Sequence, residues 1–303
     1  MRLRISISAS PSSASVDVKY EIVHTTQYNY TGSVSVSHHL ARLVPRTLPY
    51  QTCERHELQI DPVPELTAKH VDYFGNAMTF FVVQSAHKRL SVRARSLVDV
   101  QRRPATAVSS TPPWEAAADR RSMPLDALES AVDSTPARLR AALASYARPS
   151  FPLGRPVLQA VADLTSRIHA DFTYDTRATT VATPLAQVFD SKRGVCQDFA
   201  VLEIACLRSL GLAARYVSGY LETVPPPGVP RLVGADASHA WLAVHVPGMD
   251  WIDVDPTNNL FLSDRHITLA WGREYADVSP IRGVIHGGGE QRTRVAVDIV
   301  RRG

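Results

Sequence analysis

Thiol chemistry needs three kinds of side chain: a sulfur that ionises, a base beside it, and a polar group that holds the base. Candidates for all three occur in order at Cys196, His239 and Asp255. A thiol attacks as its thiolate, and a free cysteine has a pKa of about 8.5, so something must stabilise the anion at neutral pH. Cys196 follows Gly194-Val195 and opens a stretch in which Phe199, Leu202, Cys206, Leu207 and Leu210 fall on one helical stripe. The sulfur then sits in the first turn of a helix. Unpaired N–H groups and the macrodipole favour negative charge there and can also bind a developing oxyanion. With a histidinium partner, such surroundings bring cysteines to pKa values of about 3.5–7.5. Asp198 suits the same dipole but opposes a thiolate, so its carboxylate is expected to turn away. Taken alone, Cys196 reads more readily as a small buried apolar residue than as a nucleophile. Cys206 is the contrast, a core residue in mid-helix, and Cys53 lies in a polar stretch with no partner in view.

His239 begins a strand in which His239, Trp241, Ala243 and His245 share one face and Ala240, Leu242, Val244 and Val246 the other. Asp255 ends the next strand, sharing a face with Trp251 and Asp253. For the two to interact, the hairpin pairing must place them on one face, for example with Trp241 opposite Asp255. A four-residue loop would point them apart, so an odd loop or a bulge is expected near 247–250. Either residue alone could be an ordinary strand residue. The combination has the logic of nucleophile, base and orienting acid.

The elements around these residues follow from pattern and punctuation. Residues 157–171 read as a helix, and Gly211 as the stop after the cysteine helix. Residues 18–100 alternate as strands with turns at Asp61-Pro62 and Gly75-Asn76, which predicts a small antiparallel sandwich. The expected domains are a flexible leader (1–17), an N-terminal β-domain (18–103), a Pro/Ala-rich connector with short helices (104–156) and a catalytic domain (157–303). The chain has 303 residues, 45% hydrophobic and 20% charged, which fits a globular protein of about two domains. A net charge of +4 without a basic face argues against nucleic acid, and the absence of a long apolar run argues against a membrane span. Three cysteines make no disulfide framework and fit the cytoplasm. His38-His39 and the scattered acids lack metal-ligand spacing, so neither a metal nor another cofactor is expected.

Four segments resemble the core of the transglutaminase-like superfamily: Arg193-Gly-Val-Cys-Gln-Asp-Phe-Ala200, Gly211-Leu-Ala-Ala-Arg-Tyr-Val-Ser-Gly-Tyr220, Ser238-His-Ala-Trp241 and Trp251-Ile-Asp-Val-Asp-Pro-Thr257. Residues 28–45, Asp72-Tyr-Phe-Gly-Asn76 and Trp271-Gly-Arg-Glu-Tyr-Ala-Asp-Val-Ser-Pro280 are similar to its bacterial branch, which carries its own N-terminal β-domain. The resemblance implies an α+β fold with a papain-like core: a helix bearing Cys196 as nucleophile, packed on an antiparallel sheet bearing His239 as base and Asp255 as orienter. Tyr174 is a candidate oxyanion donor. Asp72, Arg273 and Asp277 match the motifs and read as domain packing. The implied reaction is acyl transfer from a peptide or carboxamide in a protein or peptide substrate through a thioester, by a cysteine peptidase or amidase. Glutamine–lysine crosslinking and a non-catalytic binding module are the rivals. The charged, glycine-containing loop at 224–234 reads as leaving the cleft open to water, and Trp241 as a wall if an acceptor tunnel exists.

Overall fold

The computed structural model describes residues 17–101, 107–223 and 238–302. The expected leader, apart from Asp17, and the loop at 224–234 lie outside the described residues. Five strands open the chain: β1 (Val18–Ala41), β2 (Gln51–Asp61), β3 (Leu66–Val71), β4 (Ala77–Val83) and β5 (His87–Val100). The first half of β1 pairs with β5 and the second half with β4, with a register shift between Asn29 and Val34. At that bend the sheet folds over itself and encloses Tyr30, Val34, Phe81, Leu90 and Val92. The expected sandwich is therefore one curled antiparallel sheet, flanked by β2 on β5 and β3 on β4.

The Pro/Ala-rich region forms α1 (Trp114–Ala117), α2 (Leu125–Ser130) and α3 (Ala137–Ala147), followed by α4 (Val157–Asp171). Short β6 (Thr173–Tyr174) and β7 (Arg193–Gly194) flank α5 (Leu185–Ser191) and lead into α6 (Cys196–Ser209). Gly211 adopts φ +87° after α6, and Leu212 N–H returns to Leu207 O at 3.1 Å, the left-handed stop the sequence predicts. A second antiparallel sheet then forms from β8 (Ala214–Leu221), β9 (Ser238–Val246), β10 (Asp250–Asp255), β11 (Leu260–Phe261) and β12 (His266–Gly272), in the order β11-β10-β9-β8-β12. α6 packs across β8 and β9. One continuous core joins Leu164, Phe199, Leu202 and Cys206 to Leu242 and Val244.

After α7 (Tyr275–Val278), the chain ends in β13 (Ile281–Gly287) and β14 (Gln291–Arg302). Both pair with β1, so residues 281–302 complete the N-terminal sheet rather than the catalytic domain to which 157–303 was assigned. Nothing local marks this, because a strand's own sequence does not name its partner. The same core also takes in Ala117, Leu143 and Phe151 from the connector and Tyr20, Ile22 and Val297 from the N-terminal sheet. Asn76 stitches the two halves at the motif residues: its Nδ2 donates to Trp271 O at 2.8 Å and its Oδ1 accepts from Trp271 N at 3.0 Å. Asp72 holds Arg42 at 3.1 Å, and Asp277 caps α7 by accepting the N–H groups of Arg273 and Glu274.

Candidate active site

Val195 is still extended at φ −118°, so α6 begins at Cys196 itself. Phe199 N–H is the first to bond back, to Val195 O at 3.1 Å, and the N–H groups of Cys196 and Gln197 remain for other acceptors. Asp198 turns its carboxylate back over this end. Its Oδ2 accepts the Val195 N–H at 2.8 Å and the Thr179 hydroxyl at 2.6 Å. Only glycine fits before it, since a Cβ on Gly194 would lie 2.8 Å from both Cβ and Oδ2 of Asp198. Cys196 is partly exposed, Cys53 likewise, and Cys206 is buried. Burial drives the Cys206 thiol far above its ordinary value, and burial also raises Cys53.

The hairpin that carries the other two residues pairs Asp250 with Val246 and continues to Val254 with Leu242. That is the expected register, reached through a three-residue loop at 247–249 with Gly248 at φ +80°. His239 Nε2 consequently meets Asp255 Oδ2 at 2.7 Å. Asp255 is fully buried. Its Oδ1 accepts the N–H groups of Thr257 at 3.0 Å and Asn258 at 3.2 Å. Its Oδ2 also accepts Asn258 Nδ2 at 2.7 Å and His266 Nε2 at 3.0 Å. Burial would raise this carboxyl, but the hydrogen bonds and charges of His239 and His266 overcome it and hold it far below the usual range. Burial likewise opposes a charged His239. The Asp255 hydrogen bond, the neighbouring Cys196 sulfur and their charges outweigh it and raise the imidazole to about 10. The site thus favours an imidazolium beside the sulfur.

Three features of this centre were not legible in the sequence. His266 begins β12, on the far side of β8 from β9, and only the folded sheet brings its ring to Asp255. Asn258 follows the Asp-Pro turn and looks like an ordinary turn residue. Glu203 lies two turns along α6 from Cys196 and is fully buried. Thr165 Oγ1 lies 2.8 Å from Val161 O and 2.7 Å from Glu203 Oε1. Thr165 has one hydroxyl proton to share between these two acceptors. Burial, with the Asp255 charge adding, overcomes the Thr165 hydrogen bond and raises Glu203 to about 8. The ligand atoms of His239, Asp255 and His266 lie within 4.8 Å of one another, a spacing compatible with a metal, but both Nε2 atoms carry protons that a metal would have to displace.

One expectation changes. Trp241 is fully buried with its Nε1 donating to Asp253 Oδ1 at 3.1 Å, so it supports the His239 ring from behind and walls no open tunnel. Tyr174 is 51% exposed and packs edge-on against Phe199. Burial raises its hydroxyl and the Cys196 charge adds to this, which places it in the field of the sulfur.

Comparisons with known proteins identify the family and the fold. Residues 20–99 match the model described as bacterial transglutaminase-like N-terminal region, and residues 146–256 match the transglutaminase-like superfamily core. An uncharacterized protein of Mycobacterium tuberculosis, Rv2569c, is 42% identical over 290 residues, covering 93% of this chain and 92% of that one. An uncharacterized protein of Mycobacterium leprae, ML0607, is 30% identical, covering 93% and 99%. A crystal structure described as that of a "putative cysteine protease" from Cytophaga hutchinsonii shares the fold at a TM-score of 0.75 and 21% identity, over 95% of this chain and 91% of that one. The chain belongs to the transglutaminase-like superfamily, in the bacterial form that carries its own N-terminal β region.

Proposed function

We propose that the chain is a cysteine-nucleophile acyl-transfer enzyme that acts on peptide or carboxamide bonds and releases the acid. The observation that carries this reading is the 2.7 Å bond from His239 to the buried Asp255, with the raised imidazole beside a cysteine at a helix start. Nε2 is committed to Asp255, so Nδ1 serves the sulfur. The Cys196 thiolate attacks the substrate carbonyl carbon, and the oxyanion that forms is received by N–H groups at the start of α6. His239 gives its proton to the departing amine as the C–N bond breaks, leaving a thioester. Neutral His239 then takes a proton from water as the water oxygen attacks the thioester. Collapse breaks the C–S bond, expels the sulfur as thiolate beside the now protonated His239 and frees the carboxylic acid.

Water is favoured as the resolving nucleophile because the sulfur is partly exposed and water is about 55 M. An amine at millimolar concentration must be preferred by roughly 10⁴-fold, about 5.5 kcal/mol, to draw level. No described helix is long and apolar enough to cross a membrane. We place the enzyme in the cytoplasm, where three unpaired thiols persist. The test supplies a glutamine-bearing peptide with excess labelled primary amine. Free acid that disappears in Cys196→Ala is the expected result. Quantitative amine incorporation would make the enzyme a crosslinking transferase, and turnover that survives Cys196→Ala would end the thiol reading.

A further inference from the structure

The cleft at Cys196 has a second wall that the catalytic chemistry does not use. A cavity of about 660 Å³ is lined on one side by Cys196, His239 and their neighbours on β8 and β9. On the other side it is lined by the N-terminal sheet, through His24, Thr26 and Tyr28 of β1 and Thr293, Val295 and Val297 of β14. The register makes these six residues one surface. His24 lies opposite Val297, Thr26 opposite Val295, and Tyr28 opposite Thr293, and directly opposed residues share a face. The surface is graded: His24 and Val297 are each 1% exposed, whereas Val295 is 53% exposed and Thr293 is exposed at the mouth. Residues 24 to 28 span about 14 Å of strand, the length of about four residues of extended peptide.

Outside the Cys196–His239 pair, the described lining of this cleft carries no charge. None of its described lining residues is Lys, Arg, Asp or Glu. Burial brings His24 down to about 4, so it is uncharged at neutral pH while bonding Tyr220 and Thr26. Burial raises Tyr28 to about 12, with Tyr30 and Tyr275 adding, and Tyr28 is therefore neutral as well. A charged substrate side chain pressed against this wall would lose water and find no opposite charge.

We propose that the N-terminal sheet is the specificity wall of the catalytic cleft, and that the Thr26–Val295 pair at its centre selects an extended peptide whose residues flanking the reacting carbonyl are uncharged. This deepens the acyl-transfer reading and rests on it for the position of the reacting carbonyl. Val295 is the specificity-determining position open to change, because its side chain is half exposed on a strand that, among the described residues, pairs with β1 alone.

The test uses fluorescent decapeptides with a central glutamine, flanked by Ala and Leu, by Lys, or by Glu. Binding is measured to the full-length Cys196→Ala protein and turnover to the protein with its thiol intact. The Ala/Leu peptide is expected to bind about ten-fold or more tighter than either charged peptide. Val295→Lys should reverse that order for the Glu peptide over the Ala/Leu peptide. Val300→Lys, on the opposite face of β14, should leave the order unchanged, and the iodoacetamide rate of Cys196 should be the same in all three backgrounds. Equal binding of all peptides, no binding, or an order unmoved by Val295→Lys overturns the wall. The predicted binding order without any turnover would instead leave the wall standing and sink the acyl-transfer reading.

Discussion

At the residue scale, the centre is a chain of charge compensation. Asp255 keeps its negative charge in the interior because five hydrogen-bond donors converge on it, and that charge keeps the His239 proton in place. Glu203 then has to stay neutral, since a second buried carboxylate would face Asp255 with only Thr165 as a partner. This gives a pH test. The folded pKa of Glu203 is raised from 4.5 to about 8, so the stability it lends is full below its ordinary value and is lost as pH rises through about 8. Glu203→Gln keeps the shape and the hydrogen bond but does not titrate. Its unfolding free energy relative to the parent should improve between pH 5 and pH 8, by about 2–4 kcal/mol. Denaturant unfolding across that range checks this, and a difference that does not change with pH would show Glu203 to be charged throughout. Cys196, His239 and Asp255 were legible in the sequence because helix-start position, strand alternation and a strand-ending acid are local signals. His266, Asn258 and the protonation of Glu203 were not, because each depends on what lies across the sheet or across the core.

At the element scale, the start of α6 decides where the sulfur sits. The N-cap position is Val195, whose side chain cannot cap, and the work passes to Asp198 three residues on. Asp198 can fold back only because residue 194 lacks a Cβ. Gly194→Ala should therefore destabilise the protein by about 1–3 kcal/mol through overpacking and a loosened cap. It should also slow alkylation of Cys196 while leaving Cys53 unchanged. Denaturant midpoints and site-resolved labelling read the two effects, and an unchanged midpoint would mean that the cap tolerates the methyl group. The hairpin shows the same logic. The demand that His239 and Asp255 share a face was enough to require an odd loop, and Asp250 at φ +63° after Gly248 is how the chain makes it. The edge strand β3 was invisible by contrast, because nearly all of it is exposed and it shows no alternation of burial.

At the scale of the whole molecule, the chain closes on itself. Its last strand lies beside its first along residues 19–30 of β1, and the strand that completes the N-terminal sheet also supplies half of the cleft wall. The division into an N-terminal β-domain and a catalytic domain, natural in the linear sequence, gives way to one shared core with the candidate active-site cleft at the junction. The existence of a strand near 293–300 was legible from alternation. Its partner was not, because a pairing some 270 residues apart leaves no trace in either segment alone. This arrangement makes the N-terminal region part of the binding apparatus as well as a support.

The central claim, that Cys196 is an activated nucleophile held by His239, is tested most directly by competitive alkylation of the native protein with iodoacetamide at pH 6, followed by mass spectrometry of each cysteine. The account predicts that Cys196 is modified well before Cys53 and Cys206, and that His239→Ala slows Cys196 about ten-fold or more while leaving Cys53 unaffected. Preferential labelling of Cys53 or Cys206, or a Cys196 rate indifferent to His239→Ala, would contradict it.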